Sequence, residues 1–219
     1  MRYSHRWADV TESTGAVFEP YNGQPASHAA QKAAVRARLL AARRSQPPAV
    51  RAAAASRVQE TLTALLARAK PAMVAGYVPI GAEPGGPDLP AVLAAALPPG
   101  GRLLLPVLRE DLSLDWAVHQ VGEPVHWRSP PGLRLGVAAI SQAALVVAPA
   151  LAVDRRGVRL GRGGGSYDRA LALVPAGVEV VALLHDGELL GEQLPAEPHD
   201  QHVSAVITPS HGLVPLPTG

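Results

Sequence analysis

The stretch 144–174 restricts the folds open to this chain more than any other. An apolar run at 144–153, with Pro149 inside it, is followed at 154–168 by D-R-R-G-V-R-L-G-R-G-G-G-S-Y-D. An unbroken apolar run of this kind predicts a buried strand. Gly161, Gly163, Gly164 and Gly165 then lead into a short helix predicted over 166–174. Strand, glycine loop and helix start together offer backbone N–H groups and a positive dipole end to an anion. Arg159, Arg162 and Arg169 flank this cradle, and Asp168 stands where it could hold a metal ion. The local chemistry reads as a nucleotide-phosphate site with its magnesium.

The surrounding pattern says what carries the loop. Helices are predicted over 29–44, with Val35, Leu39 and Leu40 on one face, and over 49–69, with Val58, Leu62, Leu65 and Leu66 as a buried stripe. On the first of these, Lys32, Arg36 and Arg43 fall on other faces. Strands are predicted at 73–78, 102–106, 112–118, 178–184 and 203–208, with a helix over 88–97 and a turn of helix around 187–193. Residues 120–142 read as loop. The alternation predicts an α/β fold of three layers, an open and mostly parallel sheet with helices on both faces. One domain is expected over 29–212, with a C-terminal tail at 213–219. Residues 1–28 read as a disordered N-terminal extension, although Tyr3, Trp7, Phe18 and Tyr21 are half of the chain's aromatic residues.

Several function classes drop out. There is no cysteine, which removes disulfides, thiolate zinc sites and cysteine nucleophiles. No stretch of about 18 apolar residues marks a membrane span, and Asp9, Glu12 and Glu19 stand where a signal peptide would be apolar. A cytoplasmic protein with no membrane partner is expected. The glycine loop is neither a P-loop, since no G-x-x-x-x-G-K-[ST] exists, nor a dinucleotide fingerprint, since Ser166 replaces the third glycine. The eight histidines form no zinc-binding pair motif. The helix arginines lack the interleaved aromatics of a single-stranded nucleic-acid site, so no nucleic-acid partner is expected.

The longer string Gly157-x-Arg159-Leu160-Gly161-Arg162-Gly163-x-Gly165-x-Tyr167-Asp168 resembles the signature of the 5-formyltetrahydrofolate cyclo-ligases, also called methenyltetrahydrofolate synthetases. Three further stretches agree: Lys32-x-x-x-Arg36, Tyr77-Val78-Pro79-x-x-x-Glu83, and Leu194-Pro195-x-Glu197-x-His199-Asp200 followed by Val206-Ile207-Thr208. The resemblance spans roughly 30–208. The chain departs from the family at Ser166, where many members carry a second tyrosine. It departs again at Ser129-Pro130-Pro131-Gly132, where many have a glutamate–proline pair.

The resemblance implies ATP- and Mg2+-dependent closure of 5-formyltetrahydrofolate to 5,10-methenyltetrahydrofolate, through phosphorylation of the formyl oxygen. It implies catalytic roles for Glu83, Arg162 and Asp168, with Asp168 also the metal ligand. Lys32, Arg36, Gly161, Arg162, Gly163, Gly164, Gly165, Ser166, Tyr167, Asp168 and Arg169 would bind the nucleotide. Tyr77, Glu83 and Trp116 would meet the reduced folate, and His199 and Asp200 are secondary candidates. A monomer or weak homodimer is expected. Two other readings stay open: an ATP-binding relative with a different substrate or a regulatory role, and a basic RNA-binding module suggested by a sequence pI of about 9.3.

Overall fold

A computed structural model describes residues 27–119, 133–197 and 200–217. The extension expected at 1–28 therefore lies outside the described residues, save for its last two positions, and so do the 129–132 departure and His199. Those last two belong to the fold: Ser27 caps the first helix by accepting a hydrogen bond from the Ala30 amide at 3.3 Å, and His28 opens it. No helix among the described residues is long and apolar enough to cross a membrane.

Two long helices, α1 (His28–Ser45) and α2 (Pro48–Ala69), are separated by the Pro47-Pro48 break. Pro48 suits the first turn of α2 because no N–H is needed there, and Lys70 closes that helix in a left-handed conformation, φ 46°. Then come β1 (Met73–Ala75), α3 (Leu89–Ala96), β2 (Arg102–Leu108) and β3 (Leu114–Val118). A 3-10 segment, Val137–Gln142, leads into β4 (Leu145–Pro149), β5 (Ala152–Asp154), β6 (Arg159–Leu160) and α4 (Ser166–Leu171). The chain ends with β7 (Glu179–Leu183), β8 (Leu189–Leu190), β9 (Ala205–Thr208) and β10 (Gly212–Pro215).

Seven strands form the main sheet in the order β10-β9-β7-β4-β1-β2-β3. The inner pairs are parallel, while β10 and β3 pair antiparallel at the two edges. One face packs on α2 and α3 through Val58, Leu62, Leu66, Leu89 and Leu93. The other face packs on the 3-10 segment and α4 through Ile140, Ala170 and Leu171. This is the expected three-layer arrangement. A second sheet, β6-β5-β8, is covered by α1, whose Leu39 sits in one cluster with Leu151, Val158, Leu160, Leu190 and Leu194.

The apolar run at 144–153 is two strands in two sheets. β4 pairs with β7 as far as Pro149 opposite Leu183, and the chain then crosses to pair β5 with β6 and β8. Both pieces are buried, so hydrophobicity alone carries no mark of the break. Residues 187–193 hold the short strand β8 instead of a turn of helix. The tail expected at 213–219 begins inside β10, where Leu213 pairs with Ile207 and Leu216 is buried beyond it.

Strand order places the site. From β1 the chain moves to one side, into β2 and β3, whereas β4, β7 and β9 lie on the other. The order reverses between β1 and β4, and a crevice opens beyond their carboxyl ends, where open α/β sheets bind ligands.

Candidate active site

A cleft of about 530 Å3 occupies that crevice. Its walls come from the ends of β1, β2 and β4, from α1, and from the glycine loop that β6 delivers. The loop resists side chains at particular positions, by crowding at Gly161 and by backbone conformation at Gly163. A Cβ on Gly161 would lie 2.9 Å from Arg159 Nη1, and Gly163 has a φ of 106°, a conformation side chains rarely tolerate. Arg36 of α1 grips the loop by donating Nε–H to the Gly161 carbonyl at 2.9 Å. Among the described residues, the amides of Arg162 to Gly165 donate to no protein acceptor. α4 has only six residues, so anion affinity rests on these amides more than on the helix dipole expected from the sequence.

Charged side chains in the cleft are paired across it. Lys32 Nζ lies 2.7 Å from Asp200 Oδ2, and Arg162 Nε lies 3.1 Å from Glu83 Oε1. Arg159 Nη2 donates to Asp168 Oδ1 at 2.5 Å, and its Cζ sits 5.9 Å from the centre of the Tyr167 ring. Arg159 Nε and the Tyr167 hydroxyl are both buried without a hydrogen-bond partner. Unsatisfied polar atoms at a cleft mark where a ligand's polar atoms would bind.

Glu83 reaches the cleft from the loop after β1. Its Oε2 accepts the Ile80 amide at 2.9 Å, closing a local turn that fixes the carboxyl. Burial raises its pKa above the ordinary value; the Ile80 hydrogen bond and the Arg162 and Arg43 charges pull the other way without cancelling that rise. Tyr77 is buried and donates to the Pro84 carbonyl at 2.6 Å. Burial pushes both Tyr77 and Tyr167 up, so each stays a neutral phenol. Pro106, Leu108 and Leu114 give the cleft an apolar side.

Most of the expected site residues meet here: Lys32, Arg36, Tyr77, Glu83, Arg162, Ser166, Tyr167, Asp168, Asp200 and the glycines all line the cleft. Two do not. Trp116 has no exposure and belongs to the core with Ile140. β3 enters the sheet beside the cleft at Leu114 and runs away from it, so Leu114 lines the wall and Trp116 lies one pleat too deep. Arg169 turns out of the cleft and donates to the carbonyls of Leu112 at 2.7 Å and Gly164 at 3.3 Å. It ties the glycine loop to the β2–β3 hairpin.

Two residues of the cleft escaped the sequence reading. Arg159 had been noted as flanking the cradle without a role of its own, yet it orients Asp168. Arg43, placed off the apolar face of its helix, is 2% exposed. A signal for Arg159 existed in its place within the glycine string, whereas nothing local marks Arg43.

Fold and cleft define a class: a three-layer α/β protein with an anion-type cleft at the switch point of its sheet. The sequence model of the 5-formyltetrahydrofolate cyclo-ligase family matches residues 28–209. A 5-formyltetrahydrofolate cyclo-ligase of Mycolicibacterium smegmatis is 42% identical over 194 residues, 84% of this chain and 97% of that protein. One from Escherichia coli K12 is 40% identical over 72 residues, 32% of this chain and 39% of the relative. The 5,10-methenyltetrahydrofolate synthetase of Aquifex aeolicus superposes with a TM-score of 0.66 at 26% identity, covering 86% of this chain and 94% of that one. The Mycoplasma pneumoniae synthetase, at 18% identity and a TM-score of 0.64 over 80% and 96% of the two chains, shares the fold. This chain belongs to the 5-formyltetrahydrofolate cyclo-ligase family.

Proposed function

We propose that this protein is a 5-formyltetrahydrofolate cyclo-ligase, closing 5-formyltetrahydrofolate to 5,10-methenyltetrahydrofolate at the expense of ATP, with ADP and phosphate released. The observation that carries the reading is that Glu83 and the glycine cradle face one another across a single cleft, bridged by the 3.1 Å contact to Arg162. A phosphate donor and a formyl acceptor must share such a space for direct transfer. In this reaction the formyl oxygen takes the γ-phosphoryl group, N10 attacks the activated carbon, and phosphate departs with the oxygen. The work left to the protein is alignment and charge neutralisation.

The loop amides of 162–165 bind phosphate oxygens, and Lys32, Arg36 and Arg159 offset their charge. Arg162 reaches from the cradle towards Glu83 and follows the charge as it moves to the formyl oxygen. Glu83, held by the Ile80 amide, orients the pterin and its formyl group. Tyr77 contributes its ring face, and Leu108 and Leu114 exclude water from the apolar part of the folate.

Mg2+ fits the donor set. No group of three or more His, Asp or Glu side chains gathers among the described residues, but a magnesium ion held largely by phosphates needs only one or two carboxylates. Asp168 has one oxygen on Arg159 and a partly exposed carboxyl, which leaves the other oxygen for the ion. When bound, Mg2+ supplies charge neutralisation at the phosphates. We place the protein in the cytoplasm, acting as a monomer or weak homodimer.

The test is to incubate purified protein with 5-formyltetrahydrofolate, ATP and Mg2+ and follow the methenyl chromophore. Growth of the chromophore that depends on both ATP and Mg2+ is expected. ATP binding without turnover would overturn the cyclo-ligase reading in favour of a relative acting on another substrate.

A further inference from the structure

Three side chains that can carry charge are buried at the back of the cleft: Arg43 on α1, His185 after β7, and Glu188 before β8, with exposures of 2, 4 and 4%. None has a role in the chemistry above. Hydrogen bonds link the three residues, between Arg43 and Glu188 through side chains and between Glu188 and His185 through the His185 backbone. Arg43 donates from Nε and Nη2 to the two Glu188 oxygens at 2.7 and 2.8 Å, and from Nη2 to the Ala150 carbonyl at 2.6 Å. Glu188 Oε2 accepts the His185 amide at 2.7 Å. His185 Nε2 lies 2.9 Å from the Ala82 carbonyl. A carbonyl oxygen only accepts, so this ring nitrogen carries the proton.

Ala82 immediately precedes Glu83. The loop that holds them has positive φ at Gly81, Gly85 and Gly86 and little regular hydrogen bonding of its own. Side chains from four other places reach its carbonyls: Arg162 at Ile80, His185 at Ala82, Tyr77 at Pro84, and Gln59 of α2 at Gly85. Two of these anchors flank Glu83, His185 on the carbonyl before it and Tyr77 on the carbonyl after it. The backbone amide of His185 is in turn tied, through Glu188 and Arg43, to α1, the helix that carries Lys32 and Arg36.

We propose that His185, held in place by Glu188 and Arg43, is a positioning residue that sets Glu83 in register with the α1 side of the cleft. The proposal rests on the reading of Glu83 as the group that orients the formyl folate. His185 touches no reacting atom; it acts through the Ala82 carbonyl. A displacement of about 1 Å at a reacting group can lower the rate on the order of 100-fold, so releasing the Ala82 side of Glu83 is enough to be felt in kcat even with Tyr77 still holding Pro84.

The test compares His185→Phe, which keeps a ring but removes the donor, with His185→Gln, whose amide can return an N–H near the Nε2 position. kcat and both KM values are measured beside the melting temperature. His185→Phe is expected to lose roughly 10- to 100-fold in kcat with an unchanged KM for ATP, and His185→Gln to recover most of that loss. His185→Phe at the wild-type rate, or His185→Gln no better than His185→Phe, overturns the proposal. A loss confined to melting temperature, with kcat per folded molecule intact, overturns it too. Glu83→Gln separates this idea from its premise. Full activity in Glu83→Gln refutes the role of Glu83 itself, whereas an inactive Glu83→Gln beside a fully active His185→Phe refutes only the relay. If His185→Phe does not fold, His185→Leu set against His185→Gln makes the same comparison.

Discussion

Replacing Arg43 with methionine would strand the Glu188 carboxylate where the two side chains are only 2% and 5% exposed. Both sites are nearly dry, so solvent screening gives little relief, and removing one partner of such a pair typically costs about 3–5 kcal/mol. For a domain of this size each kcal/mol lowers the melting temperature by about 2–4 °C, which predicts a fall of roughly 6–20 °C. The decisive comparison is the double variant Arg43→Met/Glu188→Leu. Replacing a whole buried pair with apolar side chains is often neutral or stabilising. The double variant should therefore regain most of the loss, less about 1 kcal/mol for each hydrogen bond forfeited at Ala150 and His185. Thermal melts at neutral pH, with activity measured alongside, provide the assay. A single variant that melts within about 3 °C of wild type would refute the claim that the pair is dry, given that scaling. A double variant as unstable as the single would show that lost packing, and not the stranded charge, is responsible.

Burial raises the Glu83 pKa above its ordinary 4.5, so the folded protein holds this proton more tightly than the unfolded chain does. The stability this contributes is complete below about 4.5 and is lost as the pH rises through the raised value. Glu83→Gln should accordingly gain melting temperature relative to wild type as pH rises through that window, while kcat collapses; a difference independent of pH would contradict the burial argument. Trp116→Phe should cost about 1–3 kcal/mol of stability by opening a cavity in the core. Its KM for 5-formyltetrahydrofolate should not change, and a large rise in KM would return Trp116 to the cleft. Gly163→Ala forces a side chain onto a φ of 106°, a strain of about 1–3 kcal/mol that the loop relieves by moving its amides. KM for ATP should rise with little change in KM for the folate, and an unchanged ATP response would show that those amides do not bind phosphate.

The layered α/β fold was legible because each long element carries its own period. Val58, Leu62, Leu65 and Leu66 mark the buried stripe of α2 without help from the rest of the chain. β10 was not legible: Gly212-Leu213-Val214-Pro215 becomes a strand because β9 offers it an edge, and that partner is a tertiary fact. The same divide runs through the site. The glycine string announces itself within twelve residues, whereas Arg43 meets Glu188 across 145 positions, and a lone arginine on a helix ordinarily faces water. Trp116 was misplaced because the choice between Leu114 and Trp116 as the cleft wall depends on where β3 enters the sheet. Residue type carries no information about that depth.

The charge pattern of the cleft bears on how it can accept a polyanion and still be stable. Five basic and four acidic side chains line it, and Lys32, Arg159 and Arg162 each stand within salt-bridge distance of a carboxylate. Such compensation keeps the walls from repelling one another, so the basic groups can be gathered without destabilising the fold. The pairs differ in how easily they part. Arg162 is 49% exposed while Glu83 is 9% exposed, so the guanidinium keeps its contact with water whether or not it is on the carboxylate. It can swing between Glu83 and a phosphate oxygen without being desolvated itself, and return as charge shifts. Arg159 is 3% exposed, bonded to the Pro149 carbonyl and to Asp168 and placed near the Tyr167 ring, so it cannot move without breaking several contacts together. A fixed cation that orients Asp168 and a mobile one beside Glu83 suit a reaction in which the phosphoryl group must be held at its origin and followed to its destination.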